Sequence, residues 1–484
     1  MTGSLKPYPT YKDSGVPWLG KIPEHWAEKR AKHFFREVDE RSMTGEEELL
    51  SVSHLTGVTP RSQKNVTMFQ AESTVGHKLC QPGDVVVNTM WAWMAALGVA
   101  KQAGLVSPSY GVYRPRRPAA FLPELVDELL RTPAYVSEYT CRSTGITTSR
   151  LRLYPEQFLR IPLLGPPLQE QRLIMRFVAA MNRRIRRYIR AKQTLIELLE
   201  EQKQAIIHRA VTRGLDRGVR LKPSGVEWIG DVPEHWEVMP LRRVTASRCD
   251  GPFGSGLKSS HYTDQGIRVV RLQNIGHAAF KDSAAAFISP LYYATLGDHT
   301  VEPGDLLIAG LGDERHPAGR ACVAPSFIGP AMVKADCFRF RLFRQRLDPE
   351  FAAQHLTATA VNASSLLSTG ATRQRTNLQS TASRSIAVPP PKEQLAIVQY
   401  IKRETSSLRL AVASADREIA LVREYRIRLI ADVVTGKLDV REAAARLPDE
   451  PEEPEELGVT ADEVMEESDI ADEAEESMTA DVGD

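Results

Sequence analysis

Residues 12–26 read KDSGVPWLGKIPEHW, and residues 222–236 read KPSGVEWIGDVPEHW. Ten of the fifteen positions are identical, each 210 residues before its twin, and four of the six tryptophans lie in this element. A repeat of this strength at a fixed offset is the mark of a duplicated architecture. The 484-residue chain is therefore built from two copies of one frame.

Further echoes follow the opening element in each half. Ser143-Thr144-Gly145 returns as Ser368-Thr369-Gly370, with Arg150 matching Arg375. PPLQEQRLI at 166–174 answers PPPKEQLAI at 389–397, and a long tract without proline or glycine follows each of them. The residues between these ends are unlike in the two halves. The repeat is thus a shared frame around two different interiors.

The tracts that close each half have a helical period. Apolar residues at alternating spacings of three and four indicate a coiled-coil seam. We expect the two helices, about 65 Å long at about 1.5 Å per residue, to pair antiparallel because a globular region connects them. Two separate helices, each docked on its own domain, remain the alternative. The predicted seam is Val178, Ile185, Lys192, Leu199 and Ile206, interleaved with Ile174, Met181, Tyr188, Leu195 and Gln202, and in the second helix Ile401, Leu408, Ala415, Val422 and Leu429, interleaved with Ile397, Glu404, Ala411, Glu418 and Tyr425.

The interiors have the pattern of α+β units. VVVN at 85–88 and LLIA at 306–309 are short strand-like runs, each after a Pro-Gly-Asp turn. The predicted fold class is α+β, with two globular domains in tandem, each followed by a long helix, and an acidic tail. The predicted boundaries are 11–165 and 217–388 for the domains, 166–216 and 389–440 for the helices, and 448–484 for the tail.

Charge is distributed unevenly along the chain. Residues 448–484 hold 17 acidic and no basic residues, so the first 447 residues hold 62 basic and 44 acidic residues. A basic body of this size is typical of a polyanion binder, with a merely basic protein as the alternative, and the tail has a disordered composition. The tail either aids solubility or competes with DNA for the basic surface. Eight basic and no acidic residues between Arg172 and Lys192 face either phosphates or solvent.

Several classes of protein are excluded by the sequence. No apolar run of about 18 residues exists to span a membrane. Five scattered cysteines without a CxxC pair argue against disulfides and structural zinc, and favour a reducing cytoplasm. No GxxxxGK[ST] loop, HExxH pair or adenine-methyltransferase NPPY motif occurs. We expect His25 and His235 to pack in the frame. Asp84 and Asp305 suit a nuclease site, but turn chemistry alone explains them.

The repeated openings, the STG segments, the EQ closings and the long helices resemble the specificity subunit of type I restriction–modification systems. The resemblance covers about 11–440 and extends to interiors such as GDVVVNTMWAWMAALGV (83–99) and DGPFGSGLKSSHYTDQGIRVVRLQNI (250–275). It implies a non-catalytic subunit whose two target-recognition domains read an asymmetric bipartite site on double-stranded DNA. The helices would set the spacing, with half-sites roughly one helical turn apart.

The resemblance also implies partners and cofactors. Two modification subunits would bring S-adenosylmethionine and adenine methylation, and two restriction subunits would bring ATP-driven translocation and Mg²⁺-dependent cleavage. The chain itself is expected to hold no cofactor or metal, to have no membrane partner and to act in the cytoplasm. The alternative function is a non-enzymatic coiled-coil adaptor that binds proteins through its two modules.

Candidate DNA contacts follow from residue chemistry. Arg, Lys, Asn and Gln read base edges, and the same side chains with Ser and Thr bind phosphates. Arg150 and Arg375 belong to the shared frame, so we expect phosphate contacts from them and sequence specificity from the others. The candidates are Arg61, Lys64, Asn88, Arg142, Thr147, Ser149 and Arg150 in the first domain, and Lys258, Ser259, Arg271, Asn274, Arg315, Arg373, Gln374 and Arg375 in the second.

Overall fold

The computed structural model describes residues 5–63, 73–145, 151–283, 285–313, 315–360 and 374–448. The chain divides into two compact units. Unit 1 is Met1–Ala191 with Glu418–Asp484, and unit 2 is Lys192–Arg417. Each unit therefore contains one globular region and parts of both long helices. The acidic segment 449–484 lies outside the described residues.

The globular region of unit 1 is built from short strands and three short helices. Proline occupies the first helical position of all three, where its missing N–H is not needed. The strands are β1 Tyr11–Asp13, β2 Lys21–Pro23, β3 Ala27–Arg30, β4 Phe35–Glu37, β5 Leu50–Ser53, β6 Gly57–Pro60, β7 Lys78–Cys80, β8 Val85–Val87, β9 Leu97–Val99, β10 Gly104–Val106, β11 Gly111–Pro115 and β12 Pro162–Gly165; the helices are α1 Pro123–Leu130, α2 Pro133–Arg142 and α3 Pro155–Phe158.

The central sheet of this region is antiparallel with strand order β4-β11-β8-β9. All three residues of β8 are buried, which explains its continuous valine run. The hairpin β5-β6 and the antiparallel pair β7-β10 form two further, separate two-stranded sheets in this region. Strand β3, directly after the PEHW element, pairs with β12, directly before the first long helix.

The globular region of unit 2 has more strands. They are β13 Leu221–Pro223, β14 Asp231–Pro233, β15 Glu237–Pro240, β16 Thr245–Cys249, β17 Tyr262–Thr263, β18 Ile267–Val270, β19 Phe287–Ile288, β20 Thr300–Val301, β21 Leu306–Ala309, β22 Leu311–Gly312, β23 Ala321–Val323, β24 Ala331–Val333, β25 Cys337–Leu342, β26 Gln374–Arg375 and β27 Ser385–Val388. Its short helices are α5 Pro290–Tyr293, α6 Pro349–Ala358 and α7 Leu378–Ser383. The two long helices, which contribute to both units, are α4 Leu168–Arg213 and α8 Pro391–Val434, and the short helix α9 Arg441–Ala445 of unit 1 follows α8.

The central sheet of unit 2 repeats that of unit 1. Its order is β16-β25-β21-β23, again antiparallel, and β21 follows the second Pro-Gly-Asp turn as β8 follows the first. Strand β15 pairs with β27, as β3 pairs with β12. The addition differs, because unit 2 carries a five-stranded sheet β17-β19-β18-β24-β20 with one parallel pair. The two interiors thus share a core sheet under different elaborations.

The long helices pair antiparallel, as predicted. In unit 1, Ile174 and Val178 near the start of α4 share a core with Leu429 and Val433 near the end of α8. Arg426 Nε donates to Asn182 Oδ1 at 2.8 Å on the same face. In unit 2 the ends are reversed, and the core joins Ile207, Ala210 and Val211 to Ile397, Val398 and Ile401. The α+β fold class with an antiparallel helix pair is confirmed.

One detail of the predicted seam differs. In each helix, the predicted seam residues that start at Val178 and Ile401 and recur every seven residues face inward. The second set of predicted seam residues, which alternates with the first, is shifted: over most of each helix the inward-facing residue is the next one along the chain. The predicted Tyr188, Leu195, Ala411 and Tyr425 are exposed, whereas the residues that follow them, Ile189, Ile196, Val412 and Arg426, are half-buried. Steps of three and of four residues both return to nearly the same face of a helix with 3.6 residues per turn, so the sequence alone does not fix their order.

None of the helices in the described parts of the chain combines the length and the apolar character that crossing a bilayer demands.

Candidate nucleic-acid interface

The PEHW element of unit 1 is held by one buried carboxylate at the start of α4. Glu170 accepts hydrogen bonds from the Tyr8 hydroxyl at 2.6 Å, His25 Nε2 at 2.7 Å and Trp26 Nε1 at 3.0 Å. Burial and the bond to Glu170 raise the pKa of Tyr8. An ionised carboxylate only accepts, so the imidazole nitrogen donates. His25 therefore positions the frame, in agreement with the packing interpretation.

Unit 2 repeats this junction with fewer bonds. His235 Nε2 donates to Glu393 at 2.8 Å, and Glu393 starts α8 as Glu170 starts α4. Gly218 stands at the position that corresponds to Tyr8 at the 210-residue offset. Trp236 Nε1 is buried, and the described residues offer it no acceptor. The frame is thus shared in position but weaker in polar bonding in unit 2.

Each PEHW junction, the contact of a PEHW element with the start of a long helix, also contacts a glycine. This glycine comes just after the end of the other long helix of the pair. Gly436, just after α8, has φ +79°, and a Cβ there would lie 2.5 Å from Pro23 Cδ and 2.9 Å from Trp26 Cζ3. Gly214, just after α4, has φ +71°, and its Cβ would lie 3.2 Å from Trp236 Cζ2. Each PEHW element therefore packs against the start of one long helix and the end of the other.

The glutamine of each EQ pair ties the long helix to the globular region. Gln171 accepts from the Leu122 amide at 2.9 Å and donates to the carbonyls of Ala120 and Pro166. Gln394 repeats all three bonds, accepting from Asp348 and donating to Arg346 and Pro389. Leu122 and Asp348 precede equivalent helices, α1 and α6. The EQ motif thus fixes each globular region on its helix.

The two Pro-Gly-Asp aspartates are occupied in the fold. Asp84 accepts from the Gln81 amide at 2.8 Å and pairs with Arg114 on the neighbouring strand at 2.9 Å. Asp305 does the same with the Glu302 amide and Arg341, at 2.8 and 2.9 Å. Both carboxylates are buried. Turn capping and one strand pair account for these residues, which leaves the nuclease interpretation without support.

Two candidate DNA contacts in unit 1 meet around Tyr110. The Asn88 amide donates to the Tyr110 hydroxyl at 3.1 Å, and its oxygen accepts from the Met90 amide at 3.2 Å. Arg61 lies in the 3₁₀ turn Arg61–Gln63, and its charge opposes the burial that raises the pKa of Tyr110. Asn88 is buried, so its internal bonds would have to break before it reads a base.

The remaining candidates of unit 1 lie elsewhere. Arg142 ends α2 and forms an ion pair with Glu138, one turn earlier. Lys64, Thr147, Ser149 and Arg150 lie outside the described residues, as does Arg373 in the second half. Their roles stay predictions.

Three candidates of unit 2 lie on or beside one hairpin loop, the segment that joins β21 to β23 and contains β22. Strand β26 pairs with β22, so Gln374 lies opposite Gly312 and Arg375 opposite Leu311. Gln374 Oε1 accepts from the Ala318 amide at 3.2 Å, and Asp313 Oδ1 accepts from the Arg315 amide at 2.9 Å. The side chains of Arg315 on this loop and of Arg375 on β26 are exposed, and Arg375 forms an ion pair with Asp336 at 3.2 Å. The structure therefore places two cations and an amide on one surface.

The other described candidates of unit 2 occupy two further turns. Asn274 is 1% exposed and bonds inward, accepting from the Arg271 amide and donating to the carbonyls of Lys281 and Ser283. Lys258 and Ser259 are exposed at the 3₁₀ turn Ser259–His261. Asn274 has a structural role in this turn, and Lys258 and Ser259 remain accessible.

Comparison with known proteins bears on this duplicated frame. No family model matches the chain. Over 168 residues it is 25% identical to the "Type I restriction enzyme MjaVIII specificity subunit" of Methanocaldococcus jannaschii, which is 35% of this chain and 36% of that protein. Over 311 residues it is 24% identical to the "Putative type I restriction enzyme MjaX specificity subunit" of the same organism, 63% of this chain and 64% of that protein. The chain is a relative of type I restriction specificity subunits.

The matches span less than two thirds of the length of either type I restriction specificity subunit. A solved structure extends the likeness of the fold. A chain from work on complex assembly and conformational transition of the type I R-M system has a TM-score of 0.59 and 18% identity, covering 86% of this chain and 99% of that chain. The fold of that chain is therefore shared over most of this chain.

Two buried arginines in this relative of the specificity subunits had no signal in the sequence. Arg320 is 5% exposed, and its guanidinium donates to the carbonyls of Leu272, Ile275, Leu311 and His316. It joins the turn of Asn274 to the hairpin loop of Arg315, and burial lowers its pKa. Arg384 bonds Gly319 and Leu356 carbonyls, and burial lowers its pKa to about 10. These residues hold the loop that carries the exposed candidates.

Proposed function

We propose that this chain is the DNA sequence-specificity subunit of a type I restriction–modification complex, and that it reads an asymmetric bipartite site on double-stranded DNA. One observation carries the proposal: a duplicated frame supports two interiors with the same core sheet and different elaborations. A reader whose two recognition domains differ at the surface binds two different half-sites. The relatives named above supply the class of complex.

In this proposal the chain performs no chemistry. Two modification subunits would bring S-adenosylmethionine and methylate adenines, and two restriction subunits would use ATP and Mg²⁺ for translocation and cleavage, in the cytoplasm. The candidate reading surface of unit 2 is the hairpin loop with Arg315, Gln374 and Arg375. Arginine suits this position because its planar guanidinium binds guanine edges or phosphates with two hydrogen bonds.

The decisive experiment is co-expression of this chain with a candidate modification subunit, followed by sequencing of N6-methyladenine in the host DNA. We expect one asymmetric bipartite motif that disappears when this chain is omitted. A palindromic motif, or one that persists without this chain, would contradict the proposal. If the chain neither forms a complex with the modification subunit nor is retained on a DNA column, the protein-binding adaptor would be favoured instead.

A matched variant sharpens this test. Arg315→Gln should weaken or relax one half of the motif and leave the other half unchanged. Arg409→Gln removes the same charge from an exposed position of α8 and should leave both halves unchanged. Equal effects of the two variants would remove the hairpin loop from the reading surface.

A further inference from the structure

Within α4, the segment from Arg172 to Lys192 carries charge of one sign. Eight basic and no acidic residues lie between Arg172 and Lys192. We use the name arginine face for Arg183, Arg184, Arg186, Arg187 and Arg190, of which all but the half-buried Arg183 are exposed. Such a surface attracts polyanions through its summed field.

The described chain ends against this face. After α9, the Leu447 carbonyl accepts from Arg176 Nη2 at 2.5 Å. Leu447 and Pro448 line a cavity of about 120 Å³ together with Arg183, Arg184 and Arg187. All of these residues belong to unit 1. Pro448, the last described residue, therefore lies beside the arginine face.

The continuation has the complementary charge. Residues 449–484 contain 17 acidic residues and no lysine or arginine. A segment tethered beside its site has an effective concentration in the millimolar range for short linkers, so weak contacts suffice to hold it. Each exposed ion pair is weak by itself, but many pairs are available here.

We propose that the acidic segment 449–484 docks on the arginine face of its own chain. The placement of Leu447 and Pro448 selects this occupant over nucleic acid, which has no such tether. If the proposed function holds, the docked segment occupies a surface that DNA phosphates would otherwise reach. It then weakens non-specific DNA binding by competition.

The first test contains no DNA. A fluorescent peptide of residues 449–484 is titrated by anisotropy, at low salt, into the chain that ends at Pro448 and into the full chain. We expect binding to the shortened chain, and binding to the full chain at least about tenfold weaker because its own segment occupies the site. Equal binding to both chains would overturn the proposal.

Matched variants locate the site. In the shortened chain, Arg184→Gln with Arg187→Gln should lower the binding affinity for the peptide by about threefold to tenfold. Arg409→Gln with Arg417→Gln should change it by less than about twofold, although the net charge changes equally. A peptide with amides in place of its carboxylates should not bind. Equal effects of the two variant pairs, or binding of the amide peptide, would overturn the proposal.

A duplex of unrelated sequence supplies the second arm. We expect the shortened chain to bind it more tightly than the full chain, and Arg184→Gln with Arg187→Gln to abolish that difference. If the peptide does not bind while these substitutions weaken binding of the duplex, the arginine face contacts DNA phosphates and the proposed docking of segment 449–484 is wrong. Because the peptide arm needs neither DNA nor partner subunits, its result is independent of the proposed function.

Discussion

The two PEHW junctions occupy equivalent places and differ in how they are held. In unit 1, Glu170 collects hydrogen bonds from Tyr8, His25 and Trp26. In unit 2, Glu393 accepts from His235, while the buried Trp236 nitrogen finds no acceptor among the described residues. Identical residues in the two repeats therefore do not give equally stable junctions. One hydrogen bond of unit 1 comes from Tyr8, which lies outside the repeated element and has no counterpart in unit 2.

The largest expected effect breaks this comparison directly. Glu170→Ala leaves two buried donors, the Tyr8 hydroxyl and Trp26 Nε1, without an acceptor and should lower the free energy of unfolding of unit 1 by about 3–5 kcal/mol. Glu393→Ala removes a partly exposed pair and should cost about 1 kcal/mol. Hydrogen exchange of peptides that contain Trp26 and Trp236 measures the two local losses. Equal losses would mean that the junctions are energetically equivalent.

The glycines after the long helices give the second contrast. Gly436→Ala forces a side chain into left-handed backbone and against Pro23 and Trp26, which should cost about 2–3 kcal/mol. Gly214→Ala meets its nearest neighbours at 3.1 and 3.2 Å and should cost about 1–2 kcal/mol. Denaturant unfolding of both variants checks the order. A larger loss at Gly214 would contradict it.

The third contrast concerns acid stability. His355 is the seventh residue of α6, where α1 has Leu129, and burial lowers its pKa to about 3. The unfolded histidine, with a pKa of about 6.5, takes up a proton first, so its contribution is complete above that pH and is lost as the pH falls towards 3. Unit 2 should lose about 2 kcal/mol between pH 7 and pH 5.

The variant His355→Leu isolates this effect. It should flatten the pH dependence of hydrogen exchange in unit 2, with a smaller slope left by His208, whose pKa burial also lowers. The pH dependence of unit 1 should stay unchanged. An unaltered slope in unit 2 would show that His355 is not the titrating group.

The smallest expected effect tests the shared arginines. Arg150→Gln and Arg375→Gln should each reduce DNA affinity severalfold on every sequence and flatten the slope of log K against log salt by about one. Arg409→Gln serves as the control with the same change in charge. A variant whose salt slope equals that of the parent chain does not contact phosphate.

The sequence predicted what is local or repeated. The helices, the Pro-Gly-Asp turns and the duplicated frame follow from spacing, and the structure places them as expected. The inward orientation of Asn88 and Asn274 was not predictable, because an amide after a strand or at a 3₁₀ turn bonds either outward or to nearby backbone. Arg320 and Arg384 each bond two carbonyls that lie 28 or more residues away in sequence, and no local pattern reports such contacts.

The composition of unit 1 also governs how the chain folds during synthesis. Ile174, Val178 and Met181 are covered by Leu429, Ile430 and Val433, which are made about 250 residues later. At a synthesis rate of about 5–20 residues per second, the apolar face of α4 stays exposed for roughly 12–50 s before the ribosome has made the α8 residues that bury it. The first globular region is therefore the first to be made and the last to be completed.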